Sequence, residues 1–376
     1  MSEQIQPFYT VHSLHCSLVL DCRGSAEGIK NGPAILYWGA RLGADTTPEM
    51  LALMGTRQEA QACMPEEAPI ALSPELGAGF QGNAGIQVHR EGGQWASYSQ
   101  IESVTEDGNK NKSSGLTIVS ICPATQIKIT HRLALNHQSD VLTATTQLTN
   151  IGDSTLWVDQ CSAPTIPVPM HCNKILGFAG RWGNEFQRQP MDRFMGTYLR
   201  ENRSGRTSHD SFPGVILHTE QTNEGARAAY GLHLGWSGNH QIRVEEQFVG
   251  RAYAQMGELF LPGELSLEPN ESYCSPTLYG ASTQSGSLHC PNVFTVIFVH
   301  ILEILGALKS RGRCILILGR QCILICLSSA SVLLPMKRQR WAPNVLYWMM
   351  VGLKIADPTV RGWVTGLWMR QYFLRA

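Results

Sequence analysis

At 376 residues, 43% of them hydrophobic and 16% charged, the chain has the length for two or three domains and the apolar content for a sizeable core. Lys+Arg and Asp+Glu balance at 30 each, a net charge of zero that hides an acidic part and a basic tail of the kind that suggests a nucleic-acid- or membrane-binding appendage. The balance is uneven along the chain: residues 1–286 carry 19 Lys+Arg against 28 Asp+Glu, and residues 287–376 carry 11 against 2.

The first segment, MSEQIQPFYTVHSLHCSLVLDC, has Glu3 and no basic stretch followed by a continuous apolar run, so a secretory signal is not expected. Cys16, Cys22, Cys63, Cys122, Cys161, Cys172 and Cys274 lie far apart with no C-x-x-C spacing. This pattern predicts reduced thiols in a cytoplasmic protein rather than a disulfide framework. In that compartment the sequons at Asn111, Asn202 and Asn270 carry no role.

Residues 1–286 alternate with the strand period. Strands are predicted over 17–22, 34–42, 116–123, 125–135, 141–150, 214–220, 230–236 and 242–250, with breakers such as NIGD, SGNH and EPNE between runs. No helical period is long enough for a bundle. Many antiparallel strands over this length predict an all-β fold, a large sandwich whose two layers bury alternate residues.

Metal chemistry is not supported. His131 and His137 are six apart on a strand, roughly 20 Å and too far to share an ion, and Cys161, His171 and Cys172 form no ligand pattern. Ser208, His209 and Asp210 are adjacent, and neighbouring strand side chains point to opposite faces, so they make no triad. No Gly-rich phosphate loop opens a helix, and no cofactor is expected.

A carbohydrate reading rests on three segments. ENRSGRTSHDSFPGVIL (201–217) places Arg203, Arg206, Ser208 and His209 before a Pro-initiated strand. YGLHLGWSGNH (230–240) ends a strand at Trp236 and a Gly-rich polar turn, where an indole can stack on a sugar ring while amides bind hydroxyls. ELSLEPNESYCSPTLYGAS (264–282) reads as a strand, a turn at Glu268–Glu271 and a further strand. Trp236 as core and SGN as a plain turn is the competing reading.

With AILYWGARL (34–42) and LSPELGAGFQGNAGI (72–86), these three segments resemble the N-terminal domain of family 36 glycoside hydrolases, the microbial α-galactosidases. The resemblance covers residues 1–285 and departs at Ser275-Pro276, where such enzymes often have Thr-Pro. It implies a galactose-mutarotase-like antiparallel β-supersandwich for residues 1–286. It also implies α-galactoside oligosaccharides such as melibiose and raffinose as substrates, a homo-oligomer, and no nucleic-acid or membrane partner. In that family the catalytic aspartate pair sits on a following (β/α)8 barrel, so no catalytic residue is expected here. Retaining hydrolysis needs such a pair about 5 Å apart. A non-catalytic carbohydrate-binding module, with Trp182 (GRWGNEF) and Trp236 as sugar platforms, is the alternative.

Residues 287–376 break the resemblance. The family continues with a W-E-A segment and then a D-D-G-W segment; here the only acids are Glu303 and Asp357. VFTVIFVHILEILGAL is interrupted by His300 and Glu303, and CILILGRQCILICL by Arg320 and Gln321, so neither offers the clean apolar run of about 18 residues that a spanning helix needs. A shift of reading frame explains them instead. Trp348-Met349-Met350-Val351 is encoded TGG-ATG-ATG-GT, because Trp and Met have single codons. Read one base earlier it gives GAT-GAT-GGT, Asp-Asp-Gly, with no codon chosen. With permitted wobble bases, Trp341–Lys354 becomes LGAERFVLDDGWFK and Cys314–Leu327 becomes VHFNTWEAMYFDLS. The flanking CPNVFTVIFVHI and IADPTVRGWVTGLWMRQ yield LSQRFHSYFRTY and DRRSDSAGLGDWFVDAT in the same frame. The tail is therefore expected to be out-of-frame translation replacing the linker and first barrel strands, and the chain to be inactive alone.

Overall fold

The computed structural model describes residues 5–25, 32–55, 68–107, 113–181, 183–207, 210–219 and 228–283. The expectations for the tail, for Trp182 and for Ser208 and His209 lie outside the described residues. In chain order the first elements are β1 (Phe8–His12), β2 (Cys16–Asp21), β3 (Ala34–Ala40), α1 (Pro48–Met54), β4 (Ile86–His89), β5 (Gln100–Asp107), β6 (Ser113–Cys122), β7 (Ile127–Asn136), β8 (Leu142–Asn150), β9 (Leu156–Cys161) and β10 (Ile166–Val168). There follow β11 (Lys174–Arg181), β12 (Asn184–Asp192), β13 (Gly196–Asn202), β14 (Gly214–His218), β15 (Ala229–Leu234), β16 (His240–Glu246), β17 (Ala252–Glu258), β18 (Ser266–Leu267), β19 (Ser272–Cys274) and β20 (Leu278–Thr283). All eight strands predicted from alternation are present, most with ends moved by one or two residues.

One ten-stranded sheet runs β12-β11-β14-β15-β20-β8-β7-β6-β5, with β19 also paired to β8. Three smaller sheets accompany it: β1-β2-β3, β10-β17-β16-β13 and β18-β9-β4. The named pairings are antiparallel throughout. β7 shows why the sequence does this: Ile127, Ile129, His131, Leu133 and Leu135 are buried, while Lys128, Arg132 and Ala134 face outward.

The buried faces meet in one main core. Leu116, Ile118, Leu133, Leu135, Val215, Leu217 and Leu232 of the large sheet pack with Val11, Leu18 and Leu20 of the first sheet and Ile242, Val244 and Met256 of the four-stranded sheet. Each such side chain contributes roughly 1.5–3 kcal/mol over its exposed state. A second cluster joins Ile86, Val88, Leu156, Val158 and Leu267 to Ile127, Ile129 and Leu148. The architecture is the all-β sandwich that the alternation predicts.

Helix α1 escaped the periodicity argument because seven residues hold barely two turns. Its signals are local: the Thr47 side chain accepts a hydrogen bond from the Met50 N–H, Pro48 opens the first turn, and Glu49 sits at the positive end of the helix dipole.

Two buried polar clamps fix the corners. Asn150 is fully buried and donates to the carbonyls of Ser154 and Leu267, both at 2.9 Å, while its Oδ1 accepts from Gly152 N at 3.0 Å and Arg90 Nη2 at 2.7 Å. Arg193 donates to Glu246 Oε2 at 2.6 Å and to the carbonyls of Pro169, Cys172 and Met170. The guanidinium is almost wholly buried, so Arg193→Ala strands the Glu246 carboxylate and is expected to cost about 3–5 kcal/mol. Chemical denaturation checks this as a lowered midpoint with an unchanged slope.

Candidate functional site

The β15–β16 connection and the loop after β13 form one corner. The polar turn Ser237-Gly238-Asn239 follows Trp236, whose side chain is 37% exposed. A Cβ at Gly238 would stand 2.8 Å from Trp236 Nε1, so the indole lies over its own turn and must shift if position 238 gains a side chain. Gly238→Ala is expected to swing Trp236 outward at a cost of about 1 kcal/mol or less, because the displaced ring is already part-exposed. A red-shifted tryptophan emission with a lowered melting temperature would report it.

Three hydrogen bonds zip the two loops together. Gly205 N donates to Asn239 Oδ1 at 2.8 Å, Thr207 N to Ser237 O at 2.6 Å, and Thr207 Oγ1 to Trp236 O at 3.0 Å. Asn202 closes the loop from beneath, accepting from the backbone and hydroxyl of Ser204 and donating to Arg206 O at 2.8 Å. Gly205 has φ +73°, a left-handed turn that favours glycine. Below the turn His240 is buried, with Nδ1 3.1 Å from Gly238 O and Nε2 3.4 Å from Ser211 Oγ; burial holds its pKa below the ordinary value.

Of the residues singled out in sequence, Arg203 and Trp236 thus share one corner with the Asn239 amide. Arg203 is exposed and paired with Glu201 at 2.8 Å, and Arg206 is exposed. The Asn239 carbonyl oxygen is engaged by the neighbouring loop. The third segment lies elsewhere: Glu268 N donates to Glu271 Oε2 at 2.9 Å in the turn, and Tyr273 donates to Glu258 at 2.8 Å. Its Tyr279 does approach the corner, since a Cβ at Gly235 would stand 2.9 Å from the Tyr279 ring. His233 stacks on Phe212 with centroids 5.1 Å apart and lies 6.5 Å from Tyr279, continuing an aromatic row that sequence spacing did not reveal.

The histidines set aside as metal ligands are separate. His131 is buried against Thr146 Oγ1 at 3.3 Å, whereas His137 meets Ser114 Oγ at 2.8 Å. Among the described residues no group of three or more His, Cys, Asp or Glu is placed to hold a metal ion, and no helix is long and apolar enough to cross a membrane. Several carboxylates have structural partners. Glu75 is buried and accepts from Ser99 N and Oγ at 2.8 and 2.6 Å, and burial raises its pKa. Asp140 accepts from Ser13 Oγ and His15 N, and Asp21 pairs with Arg23 at 2.7 Å.

The model of the glycosyl hydrolase family 36 N-terminal domain matches residues 31–268. The α-galactosidase of Escherichia coli is 30% identical over 261 residues, covering 67% of this chain and 34% of that protein. α-Galactosidase AgaA of Geobacillus stearothermophilus is 24% identical over 193 residues, covering 51% and 26%. Among solved structures, the galactosidase domain of the α-galactosidase-sucrose kinase AgaSK superposes with a TM-score of 0.65 at 18% identity, covering 76% of this chain and 42% of that one. An AgaA variant from Geobacillus stearothermophilus, solved in complex with raffinose, gives 0.64 at 19%, covering 74% and 41%. The chain spans about a third or less of the length of these two curated relatives.

Proposed function

Because the chain belongs to glycosyl hydrolase family 36, matched through that family's N-terminal domain, we propose that it is the non-catalytic amino-terminal part of an α-galactosidase. The whole protein removes terminal α-D-galactosyl residues from galactosides such as melibiose and raffinose, with retention of configuration. The observation that carries this reading is the family match over residues 31–268. It is followed by a tail whose shifted frame forces Asp-Asp-Gly and, with permitted wobble bases, gives W-E-A.

In this reading residues 1–286 are the β-supersandwich and residues 287–376 are out-of-frame sequence standing in for the linker and the start of a (β/α)8 barrel. The catalytic carboxylate pair belongs to that barrel, and the 376-residue chain is inactive alone. A patch of exposed apolar side chains supports a domain built to be covered. Met170, Phe194, Met195 and Phe248 are 76%, 51%, 66% and 60% exposed around the Arg193–Glu246 pair. The full-length protein would assemble as a homo-oligomer in the cytoplasm; Cys16, Cys122, Cys161, Cys172 and Cys274 as free thiols agree with a reducing compartment.

The second reading, a carbohydrate-binding module, is favoured by the exposed Trp236 face beside a polar loop. Hydrolysis of a nitrophenyl α-galactoside by the purified chain tests the first reading. Turnover at the rate of an ordinary glycosidase would refute it.

A further inference from the structure

The outward face of the ten-stranded sheet is not uniformly filled. Strand register sets Asp107, Gly115, Ala134, Thr143 and Tyr279 side by side across β5, β6, β7, β8 and β20. The adjacent row on the same face carries Thr105, Thr117, Arg132 and Thr145. Two small residues in the middle of the first row leave a groove of about 390 Å³, with Tyr279 at one end, Asp107 at the other and Arg132 along one side. Outward strand positions ordinarily carry long polar side chains, and a Gly in a strand interior costs stability. A Cβ at Gly115 would lie 3.0 Å from Leu133 O and 3.2 Å from Ala134 Cβ, so a side chain there would press on the neighbouring strand.

The walls are held in place. Arg132 Nη1 donates to Gln147 Oε1 at 2.9 Å, which turns the guanidinium along the sheet. Tyr279 is wedged between the Gly235 backbone and the tilted His233 ring. The site thus offers an aromatic ring, a guanidinium and a carboxylate of opposite sign, and threonine hydroxyls and methyls.

We infer that this groove is a saccharide subsite, taking one neutral pyranose ring of an oligosaccharide. Opposite charges at its edges cancel, which disfavours an anion or a cation and leaves hydrogen-bonding capacity for a polyol. A sugar's C–H face can lie against Tyr279 while its hydroxyls meet Arg132, Asp107 and the threonines. The groove is open to solvent along the sheet, so it would hold a ring against its floor rather than enclose it. This ligand class follows from the lining alone; only the choice of an α-galactoside as first probe rests on the proposed function.

The test is ligand-detected NMR on the 376-residue chain with raffinose and, separately, maltotriose at about 20 mM, where a millimolar site is nearly filled. Ala134→Leu fills the groove and Tyr279→Ala removes its wall; Met170→Ser is a remote control. Binding in the parent and the control, weakened by more than about tenfold in both groove variants at unchanged circular dichroism, is the expected result. If Tyr279→Ala fails to fold, Ala134→Leu decides the matter. Binding of maltotriose but not raffinose would keep the groove while counting against the α-galactosidase reading. Undiminished binding in Ala134→Leu, or no binding of either sugar by the parent, overturns the proposal.

Discussion

The purified 376-residue chain is expected to hydrolyse a nitrophenyl α-galactoside no faster than buffer does. Inserting one nucleotide within codons 283–290 of the native gene, so that the tail is read in its alternative frame, is expected to restore activity by at least about a million-fold. The physical ground is simple. Double displacement at a glycosidic carbon needs one carboxylate as nucleophile and a second as acid and base, held about 5 Å apart. Of the acids described in the β domain, Glu75 is bonded to Ser99, Asp21 to Arg23, Glu246 to Arg193 and Glu258 to Tyr273. These groups hold strands together. In the tail only Glu303 and Asp357 remain.

The second large effect is acid lability. Burial holds His131 down to about 3 and His233 down to about 4, from an ordinary 6.5, with a smaller contribution to His233 from nearby His240. In the unfolded chain both imidazoles take up protons as the pH falls through 6.5, while the folded ones stay neutral. The unfolded state therefore binds more protons, and stability falls with pH by about 1.4 kcal/mol per unit for each histidine. Between pH 6 and 4 the pair would remove roughly 5 kcal/mol, comparable with the whole stability of a modest domain. Glu75 works in the opposite sense, because its raised pKa lets the folded state bind a proton first. The histidine contribution is isolated by His131→Gln. Urea unfolding at a series of pH values should show its slope shallower than the parent's by about 1.4 kcal/mol per pH unit below 6. An identical slope would contradict the assignment.

The strands were legible because alternation of the kind in IKITHRLALN answers directly to a half-buried face. Their partners were not. β20 pairs with β8 and β15, and nothing local in LYGAST says that a strand more than 130 residues earlier is its neighbour. Helix α1 was missed for lack of length, although Thr47-Pro48-Glu49 carried its cap. At the corner, Gly-Trp-Ser-Gly-Asn marked a turn after a strand, but the use of the Asn239 carbonyl by Gly205 depends on a loop 34 residues away. The groove is invisible in sequence for the same reason. Gly115 and Ala134 are unremarkable alone and form a floor only once register sets them opposite each other.

Sequencing the gene from codon 282 through and beyond codon 376 decides whether the tail is out-of-frame. To encode Trp-Glu-Ala in the shifted frame, Leu318-Gly319-Arg320 must be written CTT-GGG-AGG, one choice among many synonymous ones. Those codons are expected, with a shifted frame that stays open past codon 376 into the remainder of a barrel. Other codons at these three positions, or a stop closing the shifted frame within the tail, would contradict an out-of-frame tail.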